Sequence, residues 1–229
     1  MVEYRQKNDG GNDMEKLCWI FCALEPGDIR LRKEPGDLVI AADRGYAHAK
    51  KAGIMPDLIL GDFDSLGEVP PEDGVLVFPK EKDYTDAWLA VAEGKKRGFA
   101  RFCLFGALGG RIDHSAANLQ LLSSLAGEGK RGYLLGDGYA ASVIGNGELR
   151  FAPRPDGRIS VFAFGGDALG VTIEGLKYAL SDGKLDTAFP LGVSNEFCGK
   201  SARVAVKDGQ ILVLWEQDAV VFDPRSETL

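Results

Sequence analysis

The apolar run Leu58-Ile59-Leu60 stops abruptly at Gly61-Asp62-Phe63-Asp64-Ser65. Side chains alternate across a β-strand, so two aspartates spaced two apart leave it on the same face. If the run is a buried strand, both carboxylates emerge together at its carboxyl end. In an open α/β sheet that edge is where ligands collect. Two like charges held so close repel unless a cation or a shared proton intervenes. Hard oxygen donors of this kind suit Mg²⁺, which takes one or two carboxylates and completes its shell with water and phosphate oxygens. The plainer alternative is a polar turn in which Asp and Ser cap backbone groups. An isolated D-x-D favours that turn, so the weight falls on what surrounds it.

The same punctuation recurs along the first half of the chain. Leu17 to Leu24 reads as a buried strand broken by Glu25-Pro26-Gly27-Asp28. Leu38 to Ala42 is a second, ending at Asp43-Arg44-Gly45, and a helix over Tyr46–Ala52 follows, stopped by Gly53. Val75 to Phe78 ends at Pro79, and Lys82-Asp83-Tyr84-Thr85-Asp86 leads into a helix over Ala87–Arg97 with a cationic, glycine-terminated finish. Arg101 to Phe105 runs into Gly109-Gly110-Arg111-Ile112-Asp113-His114 and another helix. There Ile112, Ala116, Leu119, Leu122 and Ala126 are spaced as one apolar face. Strands alternating with helices predict an α/β domain on a parallel wound sheet over residues 15–138.

After that the texture changes to short, Gly-punctuated β-formers: Tyr133–Leu135, Ala141–Ile144, Arg158–Phe164, Val171–Glu174, Ala202–Val206 and Ile211–Trp215. Lys207-Asp208-Gly209-Gln210 reads as a tight hairpin turn between the last two. The expectation is an all-β domain over residues 139–229, a sandwich or small barrel. Residues 1–14, polar and rich in Asn, Asp and Gly, read as a disordered arm.

Charge narrows the partners. The net charge of −7 argues against a nucleic-acid surface or a polybasic membrane surface, while leaving room for a local phosphate seat. The four cysteines, Cys18, Cys22, Cys103 and Cys198, form no C-x-x-C and no zinc pattern. Three lie in apolar runs and read as reduced core thiols, and with no membrane-length apolar run the expected location is the cytoplasm.

Four polar clusters thus fall at predicted strand ends, which in a parallel sheet share one edge. Each also has a plain structural reading. Asp83, Thr85 and Asp86 resemble an N-cap as much as a metal site. Gly109-Gly110-Arg111 is either a turn or a phosphate seat made of helix-start amides and a guanidinium. Asp113 is an acid in a helix first turn, His114 has no evident partner, and Ser194-Asn195 lies in a polar loop.

As an ordered set, A-D-R-G, P-D-L-I-L-G-D-F-D-S, P-K-E-K-D-Y-T-D and G-G-R-I-D-H resemble the thiamine pyrophosphokinase family, with G-L-K-Y at 175–178 and S-N-E-F at 194–197 extending the match. The resemblance implies an enzyme that transfers diphosphate from ATP to the hydroxyethyl oxygen of thiamine, using Mg²⁺ and releasing AMP. It implies a homodimer with active sites at the interface. It assigns Asp62, Asp64, Asp83 and Asp86 to metal and phosphate handling, without dividing the work among them. Asp43, Arg44, Lys82, Thr85, Arg111 and Asp113 are assigned to the nucleotide, and Ser194, Asn195 and Phe197 to thiamine. Arg44 stands where many members have a second glycine, and Phe197 where animal members have Trp. Two rival readings are a haloacid-dehalogenase-like phosphatase with Asp62 as nucleophile, and a non-catalytic nucleotide or thiamine sensor.

Overall fold

The computed structural model describes residues 16–26, 31–63, 69–72, 74–81, 83–217, 224–225 and 229. The arm expected over residues 1–14 lies outside the described residues, as do Asp64, Ser65 and Lys82.

The first half supplies β1 (Leu17–Phe21), β2 (Leu38–Ala42), α1 (Gly45–Lys51), β3 (Leu58–Gly61), β4 (Val75–Val77), α2 (Asp86–Lys96), β5 (Arg101–Phe105), α3 (Ile112–Gly127) and β6 (Arg131–Gly136). The six strands pair in parallel in the order β4-β3-β2-β1-β5-β6. The chain moves outward from β1 to β4 on one side, then returns to lay β5 and β6 on the other. That reversal opens a crevice between the carboxyl ends of β1 and β5.

Burial explains why these runs are apolar throughout. On β1, Leu17, Trp19 and Phe21 enter one core, and Cys18 and Ile20, with Cys22 just past the strand, enter the core on the opposite face. The first core includes Ala49 of α1; the second holds Ala87, Ala90 and Val91 of α2 and Leu121, Leu122 and Leu125 of α3. A sheet covered on both faces needs no polar alternation. The fully buried face of α3 is Asn118, Leu121, Leu122 and Leu125; of the expected stripe Leu122 is buried and Leu119 and Ala126 pack against the core at its margin. Ile112 is 86% exposed and Ala116 is also exposed. Helical spacing alone allowed both faces, and packing against β6 and β7 selected the one carrying Asn118.

The second half is all strand among the described residues: β7 (Tyr139–Phe151), β8 (Arg158–Ala163), β9 (Ala168–Glu174), β10 (Leu180–Leu185), β11 (Gly192–Glu196) and β12 (Ala202–Glu216). β7 turns back antiparallel on β6 at Asp137-Gly138, so both halves belong to one mixed sheet. One core runs through both, joining Trp19 and Phe105 to Phe151 and Trp215. The expected hairpin at Lys207–Gln210 is instead a register shift inside the unbroken β12, between the pairs Val206↔Gly147 and Gln210↔Gly145. There β12 exchanges β9 for β8 as its neighbour, and the extra residues are absorbed as a bulge. Sequence patterning also overlooked β10 and β11. Both are short and polar, and β11 contains Ser194 and Asn195, expected as loop residues.

Candidate active site

The crevice at the β1–β5 switch widens into a cleft of about 530 Å³. Its walls bring together Asp43, Arg44, Thr85, Asp86, Arg111 and His114, drawn from three of the four strand-end clusters.

Each arrives by a local cause. The end of β3 lies close against Asp43: a Cβ on Gly61 would stand 3.1 Å from the Asp43 Cα. The Asp43 amide donates to the Leu60 carbonyl at 2.7 Å. Asp43 and Phe63 both hold left-handed backbone (φ 49° and 59°), uncommon for residues with side chains and concentrated at functional sites. Phe63 is buried against Ala41, Tyr46 and Ile59, which pins the strand end and leaves Asp62 half-buried at the edge. Thr85 caps α2, its Oγ1 accepting the Trp88 amide at 3.2 Å, and Asp86 follows as the first-turn acid. Capping and cleft-lining are therefore both true of this motif.

The Gly109-Gly110-Arg111 turn is tied down from α3. The Ser115 hydroxyl accepts the Gly109 amide at 3.1 Å and lies within hydrogen-bond reach of the Gly109 and Arg111 carbonyls. Asn118, buried, donates to the Ala107 carbonyl at 2.8 Å. Sequence reasoning missed both supports, although Ser115 and Asn118, three apart, share one helix face. Arg111 is gripped by Asp113, Nε to Oδ1 at 3.1 Å and Nη2 to Oδ2 at 2.5 Å. The guanidinium holds the Asp113 carboxyl below the usual carboxylate range. Asp113 is thus a positioning residue for Arg111 and is not itself on the cleft wall. Cys22 is on that wall, its thiol pushed up to about 12 by burial foremost, with the Asp86 charge adding to it.

Other expected residues stand elsewhere. Asp83 is exposed and lies off the cleft wall. Asp62 belongs to the same edge but not to the wall, and Asp64 and Lys82 are outside the described residues. Among the described residues no three Asp, Glu, His or Cys side chains close into a metal-holding group, so Asp62, Asp83 and Asp86 do not form one. Mg²⁺ needs only one or two carboxylates beside phosphate, and the acids at this edge are of the right chemical type for that.

In the second half, Ser194 is exposed with φ 59°, its amide donating to Ser160 Oγ at 3.0 Å. Asn195 is 4% exposed, and its amide group is engaged by the Tyr178 backbone at 3.0 and 2.7 Å. That pairing ties β11 to the segment at Tyr178. Phe197 is enclosed as well. It is buried edge-on against Phe151, with the Arg154 guanidinium 4.7 Å from its ring centroid, so it offers no open stacking face.

A model of the thiamin pyrophosphokinase catalytic domain matches residues 31–134, and a model of the thiamin pyrophosphokinase vitamin B1 binding domain matches residues 148–211. The chain belongs to the thiamine pyrophosphokinase family. A thiamine pyrophosphokinase of Bacillus subtilis is 28% identical over 188 residues, covering 79% of this chain and 88% of the relative. The crystal structure of thiamine pyrophosphokinase from Bacillus subtilis superposes with a TM-score of 0.76 at 25% identity, covering 89% of this chain and all of that one. Thiamin pyrophosphokinase from Candida albicans shares the fold at 14% identity, with a TM-score of 0.68 over 89% of this chain and 90% of that one. The matched catalytic segment contains every residue on the cleft wall from Ala42 to Asn118. The B1-binding segment contains Ser194, Asn195 and Phe197. Among the described residues no helix of this family member is long and apolar enough to cross a membrane.

Proposed function

We propose that this protein is a thiamine diphosphokinase, transferring diphosphate from ATP to thiamine and releasing AMP. The observation that carries the reading is the convergence of Asp43, Arg44, Thr85, Asp86 and Arg111 on one cleft at the sheet's switch point, in a chain matched by both family domains. The acceptor's hydroxyl oxygen attacks the β-phosphorus and gives up its proton to solvent, the bond from Pβ to the bridging oxygen breaks, and AMP leaves with that oxygen. Arg111, held in plane by Asp113, fixes phosphate oxygens alongside the amides at the start of α3. Thr85 and Arg44 add a hydroxyl and a second positive charge on the facing wall. The cleft orients donor and acceptor, which is most of what phosphoryl-type transfer asks of a protein. Mg²⁺ would be held by Asp62 with Asp64 or Asp86, where it neutralises the charge on the phosphates. Asp83 is assigned no direct contact.

The finer architecture follows the same reading: a parallel wound α/β catalytic half, and a β half that binds thiamine around Ser194. A second copy of the chain fits the apolar surface formed by Tyr178, Phe189, Leu191 and Val193, each at least half exposed beside Ser194. The acidic charge and the reduced, buried Cys18, Cys22 and Cys103 fit a cytoplasmic enzyme with no nucleic-acid or membrane partner. The test is incubation with ATP, Mg²⁺ and thiamine. The expected products are AMP and thiamine diphosphate; ADP, or inorganic phosphate with a phospho-aspartate at Asp62, would overturn the reading.

A further inference from the structure

Three of the four strand-end clusters run directly into a helix. Asp43 leads into α1, Asp83 and Asp86 into α2, and Asp113 lies in the first turn of α3. The connection from β3 to β4, residues 62–74, carries Asp62 and Asp64 and shows no helix among the described residues. Parallel neighbours usually connect through a helix packed on the sheet, which fixes the path between them. Here another support must hold the chain where it leaves β3.

Tyr46 stands at that place. Its amide donates to the Asp43 carbonyl at 3.0 Å, which ties it to the end of β2. Its ring is 8% exposed and shares a small core with Ala41, Ile59 and Phe63, the residue after Asp62. Its hydroxyl donates to Glu72 Oε1, near the far end of the same connection. Lys50, one turn further along α1, donates to that hydroxyl at 3.0 Å and stands 3.5 Å from Glu72 Oε1. The chain thus leaves Tyr46 at Phe63 and comes back to it at Glu72. Glu72 Oε2 is buried with no hydrogen-bond partner among the described residues. A carboxylate with one oxygen unsatisfied is poorly placed for stability alone, so what it supplies is position.

We propose that Tyr46, Glu72 and Lys50 form a latch that positions Asp62 for the metal carried by the donor's phosphates. The inference rests on the reading above and adds three positioning residues, none of them on the cleft wall. Phe63 is the link. Its buried ring and left-handed backbone (φ 59°) fix the direction in which the neighbouring Asp62 side chain leaves the strand. The Tyr46 hydrogen bond foremost holds the Glu72 carboxyl below the usual carboxylate range and the Lys50 ammonium above its own, so both stay charged at neutral pH. The latch is therefore a fixed support and not a switch.

Calorimetric titration with α,β-methylene-ATP, whose Pα–Pβ bridge is not cleaved, run once in Mg²⁺ and once in EDTA, isolates the metal-dependent part of nucleotide affinity. Tyr46→Phe removes the hydroxyl and keeps the buried ring. Glu72→Ala removes the acceptor, and Glu72→Gln keeps one oxygen to accept. Expected in Mg²⁺ is a Kd about tenfold weaker for Tyr46→Phe and for Glu72→Ala, as for the outer partners of metal ligands, with a smaller loss for Glu72→Gln. In EDTA the Kd should match wild type. The double variant Tyr46→Phe/Glu72→Ala should be no weaker than either single one, because both open the same latch. Unchanged affinity in Mg²⁺ for both single variants would overturn the proposal. So would an equal loss in EDTA, which would make the cluster a general support of the cleft, or losses that add in the double variant. A wild-type Kd that is the same in Mg²⁺ and EDTA would overturn it as well. A wild-type protein that makes no thiamine diphosphate would instead defeat the functional reading, and the titrations would still decide the latch.

Discussion

The two ends of the parallel sheet carry the same residue type for opposite purposes. At the amino-terminal edge, Asp37 accepts from the Leu17 amide at 2.9 Å and the Trp19 indole at 3.0 Å, and pairs with Arg225. Asp57 likewise accepts from the Val39 amide at 2.7 Å and from Lys33 at 2.7 Å. At the carboxyl-terminal edge, Asp43 and Asp86 border an open cleft, and Asp62 stands beside them half-buried. Acids of the first kind are occupied by donors that hold strands in register, Asp37 nearly buried and Asp57 at the surface. Acids of the second kind face a space large enough for a substrate. A parallel sheet makes this division natural, because strand carboxyl ends open toward ligands while the amino ends are closed by connecting segments.

Substitutions can break that contrast. The largest effect is expected at Asp37. Its side chain is 2% exposed and that of Arg225 10%, so Asp37→Ala removes the carboxylate facing a nearly buried guanidinium and frees two strand donors. Urea unfolding should show a loss of about 3–5 kcal/mol, with an unchanged KM for ATP in the protein that remains folded. Arg111→Ala, at the opposite edge, should do the reverse. Its side chain is 70% exposed, so the melting temperature should hold while the KM for ATP rises about tenfold. Thr85 lies between the two cases, being both a helix cap and a cleft residue. Thr85→Ala should cost about 1 kcal/mol of stability and raise the KM for ATP by less than Arg111→Ala does.

The smallest effect is one of pH. Arg111 lowers the folded-state pKa of Asp113, so their pairing is complete above the ordinary aspartate pKa and is lost only as pH falls through the lowered value. Asp113 should therefore add no pH dependence to nucleotide affinity from neutral pH into the mildly acidic range, so the wild-type and Asp113→Ala profiles should run parallel there. Asp113→Ala should weaken ATP binding a few-fold through the loss of Arg111 orientation, and added salt should narrow that difference.

How much of this was legible beforehand follows from the range of the forces involved. Strand ends, helix caps and the Asp43, Thr85–Asp86 and Gly109–Arg111 clusters are local, and period, glycine and capping chemistry reveal them. The partner of Asp37 is 188 residues away, so its sequence neighbourhood looks no different from that of Asp62. The burial of Phe197 and Asn195 was hidden for the same reason. Their burial is decided by Phe151, Arg154 and Tyr178, which sequence spacing does not bring together. The bulge in β12 mimicked a hairpin because Asp-Gly serves both structures, and only the competing pairings with β7, β8 and β9 choose between them.

The central claim, that the carboxyl-terminal edge holds the chemistry and not the stability, meets its most direct test at Asp62. Wild-type protein and Asp62→Asn would be given ATP, Mg²⁺ and thiamine, with AMP and thiamine diphosphate quantified from the same sample and urea unfolding run in parallel. The account predicts equal amounts of the two products from wild type, turnover lower by about 100-fold or more in the variant, and the same unfolding midpoint for both. Undiminished product from Asp62→Asn, or an activity loss matched by a fallen unfolding midpoint, would contradict it.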